Sequence, residues 1–253
     1  MEDITNSRRS FCKKAALGSM MVVTIPEILS ASMGEKVIKK IEVANGNTVL
    51  FQGDSITDSG RSRSAGGYND TRGLGSGYAM LAAAGLLEKY ASLDLKIYNR
   101  GISGNKVFQL ADRWNTDCID IKPDVLSILI GVNDFWHKLN GNYDGTVEIY
   151  KNDFIALLNR TKEALPGVKL IIGEPYAVPG VKAVDDKWYP EFYGYQQAAR
   201  DVADQFGAVF IPYQRIYDEA QKRAPGAYWT PDGVHTTLAG AQLMAAAWLK
   251  TIK

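Results

Sequence analysis

Four short segments carry residue types that can do acyl-transfer chemistry if the fold brings them together. Gly53-Asp54-Ser55-Ile56-Thr57 offers a serine hydroxyl in a tight turn, with Gly53 permitting close backbone approach. Asp232-Gly233-Val234-His235 sets a carboxylate three residues before an imidazole. On a single turn the acid can then hold one ring nitrogen while the other faces a serine. Gly131-Val132-Asn133-Asp134 supplies a side-chain N–H able to bind a developing oxyanion. Asn99-Arg100-Gly101-Ile102-Ser103-Gly104-Asn105 supplies small residues that can aim a backbone N–H at the same place. Each segment also has a plainer reading. Asp and Ser after a strand cap the next helix, Asn and Gly form turns, and an Asp-x-x-His at a helix entrance can serve as cap and surface residue. The chain has two histidines. His137, in Phe135-Trp136-His137-Lys138, has no local acid to orient it, which favours His235 as the base and leaves His137 as a substrate contact or a loop residue.

The elements that would position these residues are legible from apolar runs. Thr48 to Phe51, Leu95 to Tyr98, Asp124 to Ile130, Lys169 to Ile172 and Ala208 to Ile211 are short and almost continuously apolar, the pattern of parallel strands covered on both faces. Between them, Tyr78 to Tyr90, Val107 to Trp114, Val147 to Leu165 and Tyr193 to Phe206 have helical spacing, and Leu238 to Leu249 closes the chain as a helix. In the third of these Ile149, Phe154, Leu157, Leu158 and Thr161 form a stripe, and in the last Leu238, Ala241, Met244, Ala245 and Trp248 share a face. Alternation of strand and helix implies right-handed crossovers and a three-layer α/β/α sandwich, whose ligands bind at the carboxyl ends of the strands. Three of the four segments lie at such ends.

Composition narrows the function. A net charge of +1 over 253 residues gives no footprint for nucleic acid. There is no G-x-x-x-x-G-K and no G-x-G-x-x-G after a strand, so no nucleotide cofactor is expected. Two histidines with Asp54, Asp58 and Asp232 lack the H-x-x-x-H or C-x-x-C spacing of a metal site. Arg8, Arg9, Lys13 and Lys14 precede an uncharged, mostly apolar run from Ala15 to Ile25, too short to span a bilayer. Residues 1–32 therefore read as a signal peptide with cleavage near position 32, of the twin-arginine or the general secretory type, and 33–253 as one domain. An exported protein of a bacterium, periplasmic or extracellular, follows as the expectation, without stable membrane insertion after signal removal. Removal of that leader would leave Cys118 as the sole cysteine, so stability must come from the core.

Taken in order, the four segments resemble the sequence blocks of the SGNH hydrolases, or GDSL-like esterases, over Thr48 to Leu249, with Ile56 standing where the name-giving leucine would be. The resemblance implies a flavodoxin-like fold with a five-stranded parallel sheet, Ser55 as nucleophile and the Asp232–His235 pair as acid and base. It also implies an oxyanion hole made by the Ser55 and Gly104 backbone N–H groups and the Asn133 side chain, with no cofactor. The stretch Ile130-Gly131-Val132-Asn133-Asp134-Phe135-Trp136-His137 is similar to that of carbohydrate acetylesterases. A small-molecule or polysaccharide ester, with O-acetyl groups on xylan foremost, is the expected substrate, and Asp54, Trp136 and His137 are the candidate contacts. The aromatic pairs Phe135-Trp136, Trp188-Tyr189 and Tyr228-Trp229, with Tyr68-Asn69-Asp70, could line a cleft for sugar rings or pack the core. A lysophospholipase or thioesterase-like hydrolase is the alternative enzyme. A non-catalytic carbohydrate-binding module on the same fold is a further one, disfavoured because Ser55, Asn133, Asp232 and His235 are all present.

Overall fold

A computed structural model describes residues 24–33 and 40–253. Five strands, β1 (Thr48–Gly53), β2 (Lys96–Asn99), β3 (Val125–Leu129), β4 (Lys169–Gly173) and β5 (Val209–Ile211), form one parallel sheet in the order β2-β1-β3-β4-β5. This is the flavodoxin-like order, and the expected fold class is what the chain adopts. After β1 the chain crosses to the edge at β2 and returns on the other side at β3. A crevice therefore opens at the carboxyl ends of β1 and β3, where Gly53 pairs in register with Leu129.

The helices, in chain order, are α1 (Ile25–Met33), α2 (Ser55–Asp58), α3 (Thr71–Leu74), α4 (Tyr78–Lys89), α5 (Val107–Asp112), α6 (Val132–Leu139), α7 (Val147–Ala164), α8 (Phe192–Gln205), α9 (Tyr213–Gln221), α10 (Gly226–Trp229) and α11 (Leu238–Leu249). One layer packs α4 on α11 and α1 on α9; the other packs α7 on α5 and α8. Buried tryptophans find partners for their N–H groups in each layer. Trp248 donates to Ser127 Oγ of β3 at 3.0 Å, and Trp114 to Thr161 Oγ1 of α7 at 2.9 Å.

All five strands occur where the apolar runs put them, with ends shifted by one or two residues. Two helical faces differ in detail. In α7, Tyr150 is buried and Ile149 is 42% exposed, so the buried stripe starts one residue later than the spacing implied. In α11, Leu238 is 76% exposed because it opens the helix at the molecular surface, while the small Gly240, Ala241, Ala245 and Ala247 let the rest lie close against its neighbours. Residues 132–139, for which the sequence spacing predicts no helix, form α6. The cleavage region expected near position 32 falls in α1, which buries Ile28 and Leu29 and accepts a hydrogen bond at Ala31 O from Arg215 Nη2 at 3.0 Å. The remainder of the expected leader, 1–23, lies outside the described residues. Among the described residues no helix is long and apolar enough to cross a membrane.

Candidate active site

Ser55 is the first residue of α2, directly beyond β1. The turn is possible because Gly53 has no side chain: a Cβ there would lie 2.3 Å from Leu129 O and 2.5 Å from Thr57 Oγ1. Asp54 caps α2, its Oδ1 accepting from Ile56 N at 2.9 Å. Ser55 Oγ lies 2.8 Å from His235 Nε2. On the other side of the ring, His235 Nδ1 lies 2.6 Å from Asp232 Oδ2, while Asp232 Oδ1 accepts from the backbone N–H groups of His235 at 2.8 Å and Val234 at 2.9 Å. Burial pulls the Asp232 carboxyl upward, but the hydrogen bonds from the His235 ring and the two N–H groups outweigh it and hold it below the usual carboxylate range. Residues following β4 brace this turn. Tyr176 Oη donates to Val234 O at 2.7 Å, Val178 N to Gly233 O at 2.8 Å and Ala183 N to Asp232 O at 3.0 Å.

The segment after β2 runs across the end of β1. Arg100 N donates to Phe51 O at 2.8 Å and Ile102 N to Gly53 O at 3.0 Å. Asp58 of α2 fixes its middle, Oδ2 accepting from Ser103 N at 2.9 Å and Ser103 Oγ at 2.8 Å. Gly104 then takes φ +82°, in open space, so glycine is needed there for backbone conformation and not for room. Asn133, in the first turn of α6 and 5% exposed, donates from Nδ2 to Asn105 O at 3.2 Å. The two segments expected to offer oxyanion donors are thus hydrogen-bonded to each other.

Of the three candidate substrate contacts, Trp136 lies near the reacting groups. The half-buried Trp136 ring has its centroid 6.5 Å from that of His235, with Trp188 5.5 Å from Trp136. His137, one helical turn after Asn133, meets Lys106, whose Nζ is 3.0 Å from His137 Nδ1. A protonated lysine can only donate, so Nδ1 accepts and the hydrogen resides on Nε2. Burial and the Lys106 charge both press the His137 pKa down. Lys106 itself is 7% exposed and lies over the rings of Tyr143 and Phe108. It was not singled out from the sequence, although it directly follows the segment that ends at Asn105. Asp54 is corrected: it is fully buried beneath the serine, bound to its own helix, and has no surface to offer a ligand. Phe135, Trp188 and Trp229 are core residues, whereas Tyr68 and Tyr228 are exposed.

Two carboxyls lie beneath the site. Asp54 Oδ2 and Asp134 Oδ2 are buried with no hydrogen-bond partner among the described residues. Burial pushes both up to about 7. Each holds its proton more tightly folded than unfolded, where a carboxyl titrates near 4, so the stability it contributes is present below pH 4 and lost as pH rises through 7. Thermal unfolding should give a Tm that falls between pH 5 and 8, with a shallower fall in Asp134→Asn. An identical slope in that variant would contradict the assignment.

This arrangement can take the proton from a serine hydroxyl and hold the resulting imidazolium against a carboxylate. Among the described residues no group of His, Cys, Asp and Glu is placed to hold a metal ion.

Known proteins to which the chain is similar include esterases. The GDSL-like lipase/acylhydrolase family model matches residues 51–243. An acetylxylan esterase of Geobacillus stearothermophilus is 32% identical over 214 residues, covering 84% of this chain and 96% of its own. A solved structure from Parabacteroides merdae, described as a GDSL-like lipase, is 50% identical with a TM-score of 0.83 and covers 84% of this chain and 98% of its own. A crystal structure of a catalytic mutant of the Geobacillus acetylxylan esterase Axe2 superposes with a TM-score of 0.74 at 31% identity, covering 83% of this chain and 96% of its own. With the parallel sheet, the serine at the end of β1 and these matches together, the chain belongs to the GDSL-like lipase/acylhydrolase family and is an esterase.

Proposed function

We propose that the protein removes O-acetyl groups from carbohydrate, xylan foremost, through an acyl-enzyme on Ser55. The observation that carries the chemistry is the continuous relay from Ser55 Oγ through His235 to Asp232, at 2.8 and 2.6 Å. As Ser55 Oγ attacks the ester carbonyl, His235 Nε2 takes its proton, and the negative charge passes to the carbonyl oxygen. The backbone N–H groups of Ser55 and Gly104 and the Asn133 amide receive that oxyanion. Its collapse expels the sugar oxygen, which takes the proton from His235 and leaves as the alcohol. Water, deprotonated by the same nitrogen, then attacks the acetyl-serine, and Ser55 Oγ leaves with the proton returned by His235, releasing acetate. Trp136 beside His235 and the His137 Nε2–H offer a ring face and a donor to a sugar.

The acetylxylan esterase relative supports the choice of acyl group and substrate. The basic residues and apolar run at the N-terminus support export, which would place the enzyme where plant polysaccharide is met. The test is acetate release from acetylated xylan, acetylated pectin and simple sugar acetates. Release from xylan is expected; no release from any of them, with turnover of lysophospholipid, would reverse the substrate assignment.

Asn133 provides a sharper check on the chemistry. Losing one preorganised oxyanion donor costs about 3 kcal/mol in the transition state, so Asn133→Ala should fold normally yet lose kcat on the order of a hundredfold. Full activity in that variant would remove Asn133 from the oxyanion site.

A further inference from the structure

Arg113 stands just beyond α5, and its guanidinium reaches under the carboxyl ends of β1 and β2. Its side chain is 14% exposed. Nη1 donates to Arg100 O at 2.7 Å, to Asp117 Oδ2 at 2.9 Å and to Gln52 Oε1 at 3.1 Å, while Nη2 lies 3.4 Å from Gly53 O. The remaining donor, Nε, reaches Asn105 Oδ1 at 2.9 Å. One planar group thus bridges the strand that leads to the serine, the segment that precedes Gly104, and the side chain of the residue that follows Gly104.

Asn105 is bound on two sides. Its amide oxygen is held by Arg113, and its main-chain carbonyl accepts one N–H of the Asn133 amide at 3.2 Å. An amide with one N–H so engaged is restrained in orientation, and with it the coplanar second N–H. We propose that Arg113 is a positioning residue of the oxyanion site, acting through Asn105 to set the direction of the Asn133 amide. This rests on the reading of Asn133 as an oxyanion donor. A lysine cannot replace the group, because a compact ammonium has no rigid fork to span three segments at once.

A merely structural arginine would change stability without regard to Asn133. The discriminating experiment is a pair of double-mutant cycles on a soluble acetate ester. Arg113→Lys and Asn105→Ala are each combined with Asn133→Ala, and kcat and KM are measured separately. Each single variant is expected to lose about tenfold in kcat with KM within about twofold of wild type, and to cost less than about twofold once Asn133 is already alanine. Equal losses in both backgrounds, or unchanged kcat in the singles, would overturn the proposal. Should Arg113→Lys fail to fold, Asn105→Ala decides alone, since it keeps the main-chain carbonyl and removes the side-chain amide that Arg113 grips. The Asn133→Ala single separates the two levels. Wild-type kcat there removes the oxyanion reading itself, whereas an impaired Asn133→Ala with additive losses removes only the role of Arg113.

Discussion

His235→Ala should lose kcat on the order of 10⁵-fold, and the double variant with Ser55→Ala should be no worse than either single. The reason is that the two residues act as one unit. The serine hydroxyl is a weak nucleophile until a base takes its proton, and His235 Nε2, at 2.8 Å, is the base in contact with it. His137, the other histidine, has its Nδ1 engaged by Lys106 instead. The residual rate over uncatalysed hydrolysis should persist, because the oxyanion donors remain. The check is steady-state hydrolysis of an activated acetate ester by the three variants. A double variant much slower than both singles would mean that serine and histidine act independently.

Asp232→Asn should lose kcat on the order of 10³-fold or more while folding normally. Asparagine keeps an oxygen for the backbone N–H groups of Val234 and His235, so the turn survives. What changes is the partner of the imidazole. The carboxylate accepts from His235 Nδ1 at 2.6 Å and so leaves Nε2 free to take the serine proton. An amide N–H in its place would donate to Nδ1 and drive the hydrogen onto Nε2, the tautomer that cannot act as base. The Asp232 side chain is 29% exposed, so solvent can replace part of its effect, and the loss should be smaller than that for His235→Ala. Nitrogen NMR of the ring would show the tautomer change directly, and an unchanged tautomer with unchanged kcat would dismiss Asp232 as the orienting acid.

The features legible in the sequence share one property, which is that they are local. Continuous apolar runs mark the five strands because both faces of a central parallel sheet are covered. The Asp-x-x-His spacing fits within one turn, and the structure closes it as such. Features that depend on distant segments were not legible. α6 is eight residues long and mixes buried Val132, Asn133, Asp134 and Phe135 with polar neighbours, too short for a stripe to declare itself. Asp54 looks exposed in a polar string, yet its carboxyl is fully buried and accepts from Ile56 N of its own helix. Arg113 meets Gln52 and Gly53 across some sixty residues of chain, and only the return of β1 and β2 to neighbouring positions makes that contact.

Acylation of Ser55 is open to direct test by intact-mass and peptide analysis after treatment with a serine-directed fluorophosphonate. A single adduct mapped to Ser55, absent in Ser55→Ala and strongly slowed in His235→Ala, is the predicted result. A folded wild-type protein that takes no label, or one labelled at another residue, would contradict it.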